Sequence, residues 1–261
     1  GGEGTAHLLA RVRERQATRV LDPARAVLSA RVDRSSTVYT LLATPDAWAE
    51  ELERADSLLF RSPVPSELVR AERSRILETL AFERGSPVQA FENEAASLLV
   101  DPEHPWASPV RGTPTSLPTL DPEDLTAWQA THMRPDEAAL ALAGPLTVDE
   151  VPAADSASPS GSGTASPPRT PWSVGDRVVL VQEVTSAWVS VAYPVPDTLP
   201  RTTLEILAHL VDEELDPVPP DPDRYSVDVR LEDTPRGPVL LVQASVLPEA
   251  MARWEERILS T

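Results

Sequence analysis

The sequence predicts an α+β protein built from two homologous αββα domains, each a sheet covered by helices. Three observations support this fold class. A helix pattern followed by two short apolar strands opens the chain, the same order recurs near its end, and a segment without Leu, Ile, Val or aromatic residues (153–171) separates the two. The predicted domains are 1–151 and 174–261, joined by a flexible Pro/Ser/Gly linker at 152–173.

The first domain is predicted to contain an opening helix, a pair of strands and further helices. Thr5 is the expected N-cap of the opening helix, and acidic residues suit the start of the helix after Asp121. The expected helices lie at 6–17, from 45, at 66–83, at 87–99 and from 121, and the strands at 25–33, 36–44 and 138–144. The last of these strands is an apolar run that we expect to be buried.

The second domain repeats part of this order. Its strands are expected at 176–183, 187–193, 225–232 and 239–246, and its helices at 200–214 and 248–259. The helices after the two strand pairs begin at Pro45 and Pro248, which are 203 residues apart, and His7 and His209 are separated by almost the same distance. We therefore interpret the helix–strand–strand–helix order as an internal repeat.

Composition excludes several classes of function. The formal net charge of −18 argues against nucleic-acid binding and against docking to anionic lipid. The absence of cysteine excludes disulfides and thiolate metal sites. No stretch approaches the roughly 18 apolar residues of a membrane span. We expect a soluble bacterial protein of the cytoplasm or periplasm.

His7, near the start of the opening helix, is the main candidate for metal chemistry. A catalytic zinc needs three converging His, Glu or Asp ligands, and residues four apart on a helix share a face. The residue four positions after His7 is Arg11, whose permanent positive charge repels a metal ion and offers it no lone pair. The residue three positions after His7 is Ala10, so no carboxylate stands there to act as a general base. This segment is therefore expected to hold no metal, and no cofactor is predicted.

Other candidate ligands have simpler interpretations. The carboxylates Glu78, Glu83, Glu92 and Glu94 lie on predicted helices, where solvated helix faces are the ordinary outcome. His104 sits in a proline-flanked loop, where a turn hydrogen bond is expected. His132 ends a helix, where a cation suits the negative pole.

Several segments resemble the M16 zinc-peptidase family of insulinase, pitrilysin and the mitochondrial processing peptidases. The opening segment GTAHLL (residues 4–9) resembles that family's G-x-A-H-x-x-E-H motif, with Ala10 and Arg11 replacing its last two residues. The segment ERSRILE (72–78) resembles the helix that carries the third zinc ligand, which places Glu78 near that position. The segment YSV (225–227) resembles the substrate-binding segment, with Arg224 beside Tyr225 in place of an upstream arginine.

The resemblance implies a catalytically inactive M16-like subunit. Such a chain would pair as a heterodimer with an active, zinc-bearing M16 peptidase and help to enclose or bind a peptide, with Tyr225 and Arg224 as substrate-binding candidates. The second domain is shorter than the family's, which implies a reduced member or a fragment. Two alternatives stay open. One is an active zinc metallopeptidase with atypical ligands such as His7 and Glu78, and the other is a stand-alone peptide-binding or scaffold protein.

Overall fold

The chain folds as two compact units, each made of two stretches of sequence. The computed structural model describes residues 2–83, 86–100, 104–145, 185–196, 198–216 and 219–261. Unit 1 comprises Gly1–Arg84 with Ser108–Ala165, and unit 2 comprises Gly85–Ala107 with Ser166–Thr261. The predicted linker at 152–173 and the predicted strand at 176–183 lie outside the described residues.

Helices and strands follow the predicted order closely. The helices are α1 (Thr5–Val20), α2 (Trp48–Phe60), α3 (Ser66–Glu83), α4 (Pro87–Ser97), α5 (Pro122–His132), α6 (Arg201–Leu215) and α7 (Met251–Ser260). The strands are β1 (Ala26–Val32), β2 (Thr37–Ala43), β3 (Ala187–Pro194), β4 (Arg224–Thr234) and β5 (Gly237–Val246). The α+β prediction and the αββα order are confirmed, as α1–β1–β2–α2 in unit 1 and α6–β4–β5–α7 in unit 2.

Unit 1 is organised around α1, which is buried on two sides. One side packs on the antiparallel hairpin of β1 and β2, where Ala17 and Leu21 join an apolar cluster with Ala26 and Leu28. The other side packs on α3 and α5 through a separate cluster, whose fully buried members include Leu8, Leu9, Val12, Leu117 and Leu125. A helix that is apolar on both sides must be covered on both sides, which explains the third layer formed by α3 and α5.

Unit 2 contains an antiparallel sheet with strand order β3–β5–β4. Helices α6 and α7 pack on one face, where Leu215 and Trp254 are fully buried with the alternating valines of the strands. The other face contacts the 86–107 segment, because Phe91 lies 6.4 Å from Trp188 between ring centroids and Ala192 packs against Trp106. Residues 86–107, which the sequence analysis assigned to the first domain, therefore complete the core of unit 2.

Two expectations about local structure are also wrong. Residues 138–144 form no strand and are largely exposed, because an apolar run becomes a strand only beside a partner strand, and the described residues offer none there. The N-cap of α1 is Gly4 rather than Thr5, whose hydroxyl instead donates a hydrogen bond to the carbonyl of Gly2 at 2.6 Å. Within the residues that the structure describes, no helix is long and apolar enough to cross a membrane.

Candidate functional site

The start of α1 is fixed by two glycines in close backbone contact. Gly4 has φ 86° and Gly112 has φ 76°, both in the left-handed region that favours glycine. A Cβ on Gly4 would meet the Arg111 carbonyl oxygen and the Gly112 Cα at 2.8 Å, and a Cβ on Gly112 would meet the Glu3 carbonyl oxygen at 2.8 Å. Only glycine fits at this crossing, which holds Arg111 beside the first turn of α1.

His7 is half-buried, and the charges of two arginines, Arg11 and Arg111, act on it. Burial, followed by the positive charges of Arg11 and Arg111, lowers its pKa from 6.5 to about 4, against a smaller opposing effect of Glu14. The imidazole is therefore neutral at pH 7. Neutral imidazole is a metal ligand, but the two cations that favour this form also oppose a divalent ion.

Both arginines are held in place by carboxylates. Arg11 forms an ion pair with Glu14 at 2.6 Å, and Glu14 also accepts a hydrogen bond from the Ala30 backbone N–H at 2.7 Å. Arg111 forms an ion pair with Glu83 at 2.9 Å. Glu14 and Glu83 are thus already engaged with guanidinium groups.

The remaining residues of the motif supply no metal donor. Ala10 is buried, and its methyl side chain cannot accept a proton, so it cannot act as a general base. Glu78, the candidate third ligand, is exposed on α3. Across the described parts of the chain, no group of three or more His, Asp or Glu side chains is arranged to hold a metal ion. The residues present therefore do not fit the zinc that the family resemblance implies.

Sequence reasoning missed Arg111 and the role of Glu83. Arg111 lies more than a hundred residues from His7 and reaches it only through the contact between Gly4 and Gly112. In the sequence Arg111 is only the residue before Gly112, and this position gives no indication that it lies near His7.

The other three histidines contact residues of their own turn or helix. The Nδ1 of His104 accepts a hydrogen bond from the Trp106 backbone N–H at 3.1 Å, which confirms the expected turn role. His132 ends α5 and lies 5.0 Å from Trp128 between ring centroids. His209 lies midway along α6, exposed and 3.6 Å from Glu213, whereas His7 lies in the first turn of α1. The two histidines are therefore not equivalent positions of the repeat.

The substrate-binding candidates lie at the start of β4, an edge strand of the described sheet. Tyr225 is the extra residue of a β-bulge and is 59% exposed. Arg224 points the other way: its guanidinium pairs with Asp216 and donates to the Leu215 carbonyl at 3.2 Å. This contact with the end of α6 resembles a C-terminal helix cap, because a cation there stabilises the unpaired carbonyl groups.

Comparison with known proteins identifies the fold. The sequence matches no protein-family model and no curated protein. Its structure is similar to a peptidase M16 inactive domain from Pseudomonas fluorescens, with a TM-score of 0.67 and 12% identity over 100% of this chain and 69% of that one. A protease from Helicobacter pylori gives a TM-score of 0.67 at 14% identity over 99% of this chain and 69% of that one.

The periplasmic protease PqqL from Escherichia coli is also similar, with a TM-score of 0.58 and 13% identity over 99% of this chain and 32% of that one. The chain therefore has an M16 peptidase-like fold, and the predicted resemblance is confirmed at the level of the fold. One of these similar structures is itself described as inactive.

Proposed function

We propose that this chain is a non-catalytic M16-like subunit that pairs with an active, zinc-bearing homologue and contributes a peptide-binding surface. The observation that carries the proposal is that His7 is followed by Ala10 and Arg11 in place of a base and a metal ligand, in a fold shared with M16 peptidases. A metallopeptidase needs a metal to generate its nucleophile and a base to accept the proton. This site has guanidinium groups and a methyl group instead.

The edge of β4 supports peptide binding. β5 pairs with one edge of β4, and no strand among the described residues of unit 2 pairs with the other. An extended peptide can add to such an edge through backbone hydrogen bonds, with side-chain contacts providing selectivity. Tyr225, exposed at the bulge, offers an aromatic surface beside this edge. Arg224 is engaged with Asp216, so we assign the contact to Tyr225 and leave Arg224 a supporting role.

Pairing is tested by capturing the tagged chain from the organism that encodes it. The expected result is co-purification with a chain that carries an intact H-x-x-E-H motif, and chelator-sensitive cleavage of a disordered peptide by the pair but not by this chain alone. If no such chain is recovered, the pairing proposal is wrong. Chelator-sensitive cleavage by the purified chain, abolished in His7→Ala, would instead establish the active alternative.

Peptide binding is tested separately with a dye-labelled disordered peptide and fluorescence anisotropy. We expect Tyr225→Ala to weaken binding by about tenfold, since aromatic anchors contribute strongly to peptide affinity. Phe82→Ala is the matched control, because Phe82 is an exposed aromatic residue that belongs to unit 1 and not to unit 2. Equal affinities of the two variants would contradict a binding role for Tyr225. Localisation of the protein in the cytoplasm or in the periplasm remains a prediction.

A further inference from the structure

A groove lies between helix α6 and strand β4 of unit 2, beside the edge of β4 that no strand of the described residues pairs with. Its volume is about 340 Å³. The apolar part of its lining is Ala208 of α6 with Val229 and Leu231 of β4, and the acidic part is Glu205 and Asp212 of α6. A groove with apolar and charged walls beside a strand edge can hold a side chain of a peptide that adds to this edge.

In unit 1 the corresponding space between helix and strand is filled by a glutamate. The two helices are aligned by the residues through which they pack on their strands: Ala17 and Leu21 of α1, and Val211 and Leu215 of α6. This alignment places Ala208 of α6 at the position of Glu14 of α1. Glu14 reaches β1, where it accepts a hydrogen bond from the Ala30 backbone N–H at 2.7 Å. The methyl group of Ala208 can neither fill this space nor accept a hydrogen bond, so the groove in unit 2 stays open.

The opening of the groove is independent of what covers the outer side of α6. By the same alignment, Glu205 and Asp212 correspond to Arg11 and Thr18 of α1. Both of these residues are exposed in unit 1, although α3 and α5 pack on the neighbouring side of α1. Strand β1, which corresponds to β4, also lacks a partner strand on its outer edge among the described residues of unit 1. Helices that cover the outer side of this arrangement therefore leave the groove accessible.

The charges of the groove favour a cationic ligand. Each of the two arginines that line it pairs with two carboxylates: Arg201 with Glu205 at 3.1 Å and Asp233 at 2.8 Å, and Arg230 with Asp228 and with Glu232 at 3.4 Å. Asp212 is half-buried in the groove and forms no ion pair with any residue that the structure describes. The acidic groups thus outnumber the arginines, and the unpaired carboxylate of Asp212 is available to a positive charge.

We propose that the groove binds an Arg or Lys side chain of an extended peptide that adds to β4. The aliphatic part of this side chain packs on Ala208, Val229 and Leu231, and its charged group pairs with Asp212. Successive side chains of a strand point to opposite faces, so every second residue of the peptide faces α6. The inference rests on the proposed peptide site at β4 and names its substrate class, an extended peptide with basic residues at alternate positions.

The test uses two dye-labelled disordered peptides of equal length, one with Arg and one with Gln at every second position. Fluorescence anisotropy with the full chain, at an ionic strength that screens charges outside the groove, should give about tenfold tighter binding of the arginine peptide. Asp212→Asn removes the unpaired charge with little change in shape, and it should weaken binding of the arginine peptide by about fivefold and leave the glutamine peptide unchanged. Glu214→Gln is the matched control, since it removes the same charge from an exposed position of α6 that does not line the groove, and it should leave both affinities unchanged.

A charge reversal sharpens the test, because Asp212→Arg should shift the preference towards a third peptide with Glu at the same positions. Circular dichroism will verify that the variants stay folded. Equal affinities of the wild type for the arginine and glutamine peptides, or an equal loss in Asp212→Asn and Glu214→Gln, would overturn the inference.

The inference and the proposed function fail separately. If the arginine and glutamine peptides bind equally and Tyr225→Ala weakens both, the role of the groove is wrong and the peptide site at β4 stands. Equal affinities of Tyr225→Ala and Phe82→Ala would contradict the site at β4 itself.

Discussion

Helices α1 and α6 occupy the same place in two copies of a helix–hairpin–helix arrangement, yet their outer sides differ. The outer side of α1 is buried under α3 and α5 and includes a fully buried arginine, Arg13. The outer side of α6 presents Ile206, Leu207 and Leu210 to solvent. Ala17 and Leu21 of α1 pack on the hairpin with the same spacing as Val211 and Leu215 of α6 pack on the sheet, so Arg13 corresponds in position to Leu207 and Arg15 to His209.

The largest expected difference is in the free energy of unfolding, between a substitution of Arg13 and a substitution of its counterpart Leu207. Arg13 donates hydrogen bonds to Gln16 and Gln129 at 2.6 Å each and to the Ser62 carbonyl at 2.8 Å. Arg13→Ala should lower the free energy of unfolding by about 3 kcal/mol, because it leaves buried acceptors without a donor. Leu207→Ala should change it by less than about 0.5 kcal/mol. Urea denaturation followed by circular dichroism provides the comparison, and similar losses in both variants would remove the contrast.

A smaller effect is expected for the charges at the edge of each helix. Arg15 pairs with the buried carboxylate of Glu72, which also pairs with Arg75. Arg15→Glu places like charges together and should lower the free energy of unfolding by about 1.5 kcal/mol. His209→Glu, at the corresponding exposed position of α6, should have almost no effect. A loss in His209→Glu as large as that in Arg15→Glu would contradict the difference between the two helices.

The smallest effect concerns pH and His7. Because its pKa in the folded chain is lowered from 6.5 to about 4, the unfolded chain binds the proton more readily. Its contribution to stability is therefore complete above pH 6.5, decreases as the pH falls towards 4, and does not change further below that. Since His7 is only half-buried, we expect a loss of about 1 kcal/mol after allowance for solvent screening.

The matched variant is His7→Gln, which removes the titration. The difference in free energy of unfolding between wild type and variant should move in favour of the variant between pH 6.5 and 4.5, as measured by urea denaturation at each pH. An NMR titration that gives His7 an ordinary pKa would contradict the effect of burial and of the two arginines.

Local sequence patterns predicted most of the elements. The bounds of α3 were predicted correctly at Ser66 and Glu83, because apolar spacing and a following glycine mark a helix that ends there. The same kind of pattern failed at 138–144, because a short apolar run has no structure of its own without a neighbouring strand. Sequence periodicity thus determines helices better than it determines isolated strands.

Long-range contacts were beyond this kind of prediction. The burial of Arg13 depends on acceptors from α5 and from the loop before α3, and nothing in its own helix distinguishes it from exposed Arg11. The 86–107 segment packs in unit 2 because Phe91 and Trp106 contact β3, which follows about eighty residues later or more. At the candidate site, the sequence placed Arg11 beside His7, and only the structure added Arg111.

The central claim is that the residues around His7 cannot hold zinc, and a zinc titration tests it most directly. The purified full chain is stripped with chelator, incubated with excess zinc and dialysed, and the bound metal is measured by elemental analysis. We predict no stoichiometric zinc and no difference between wild type and His7→Ala. One tightly bound zinc ion per chain, lost in His7→Ala, would contradict the account.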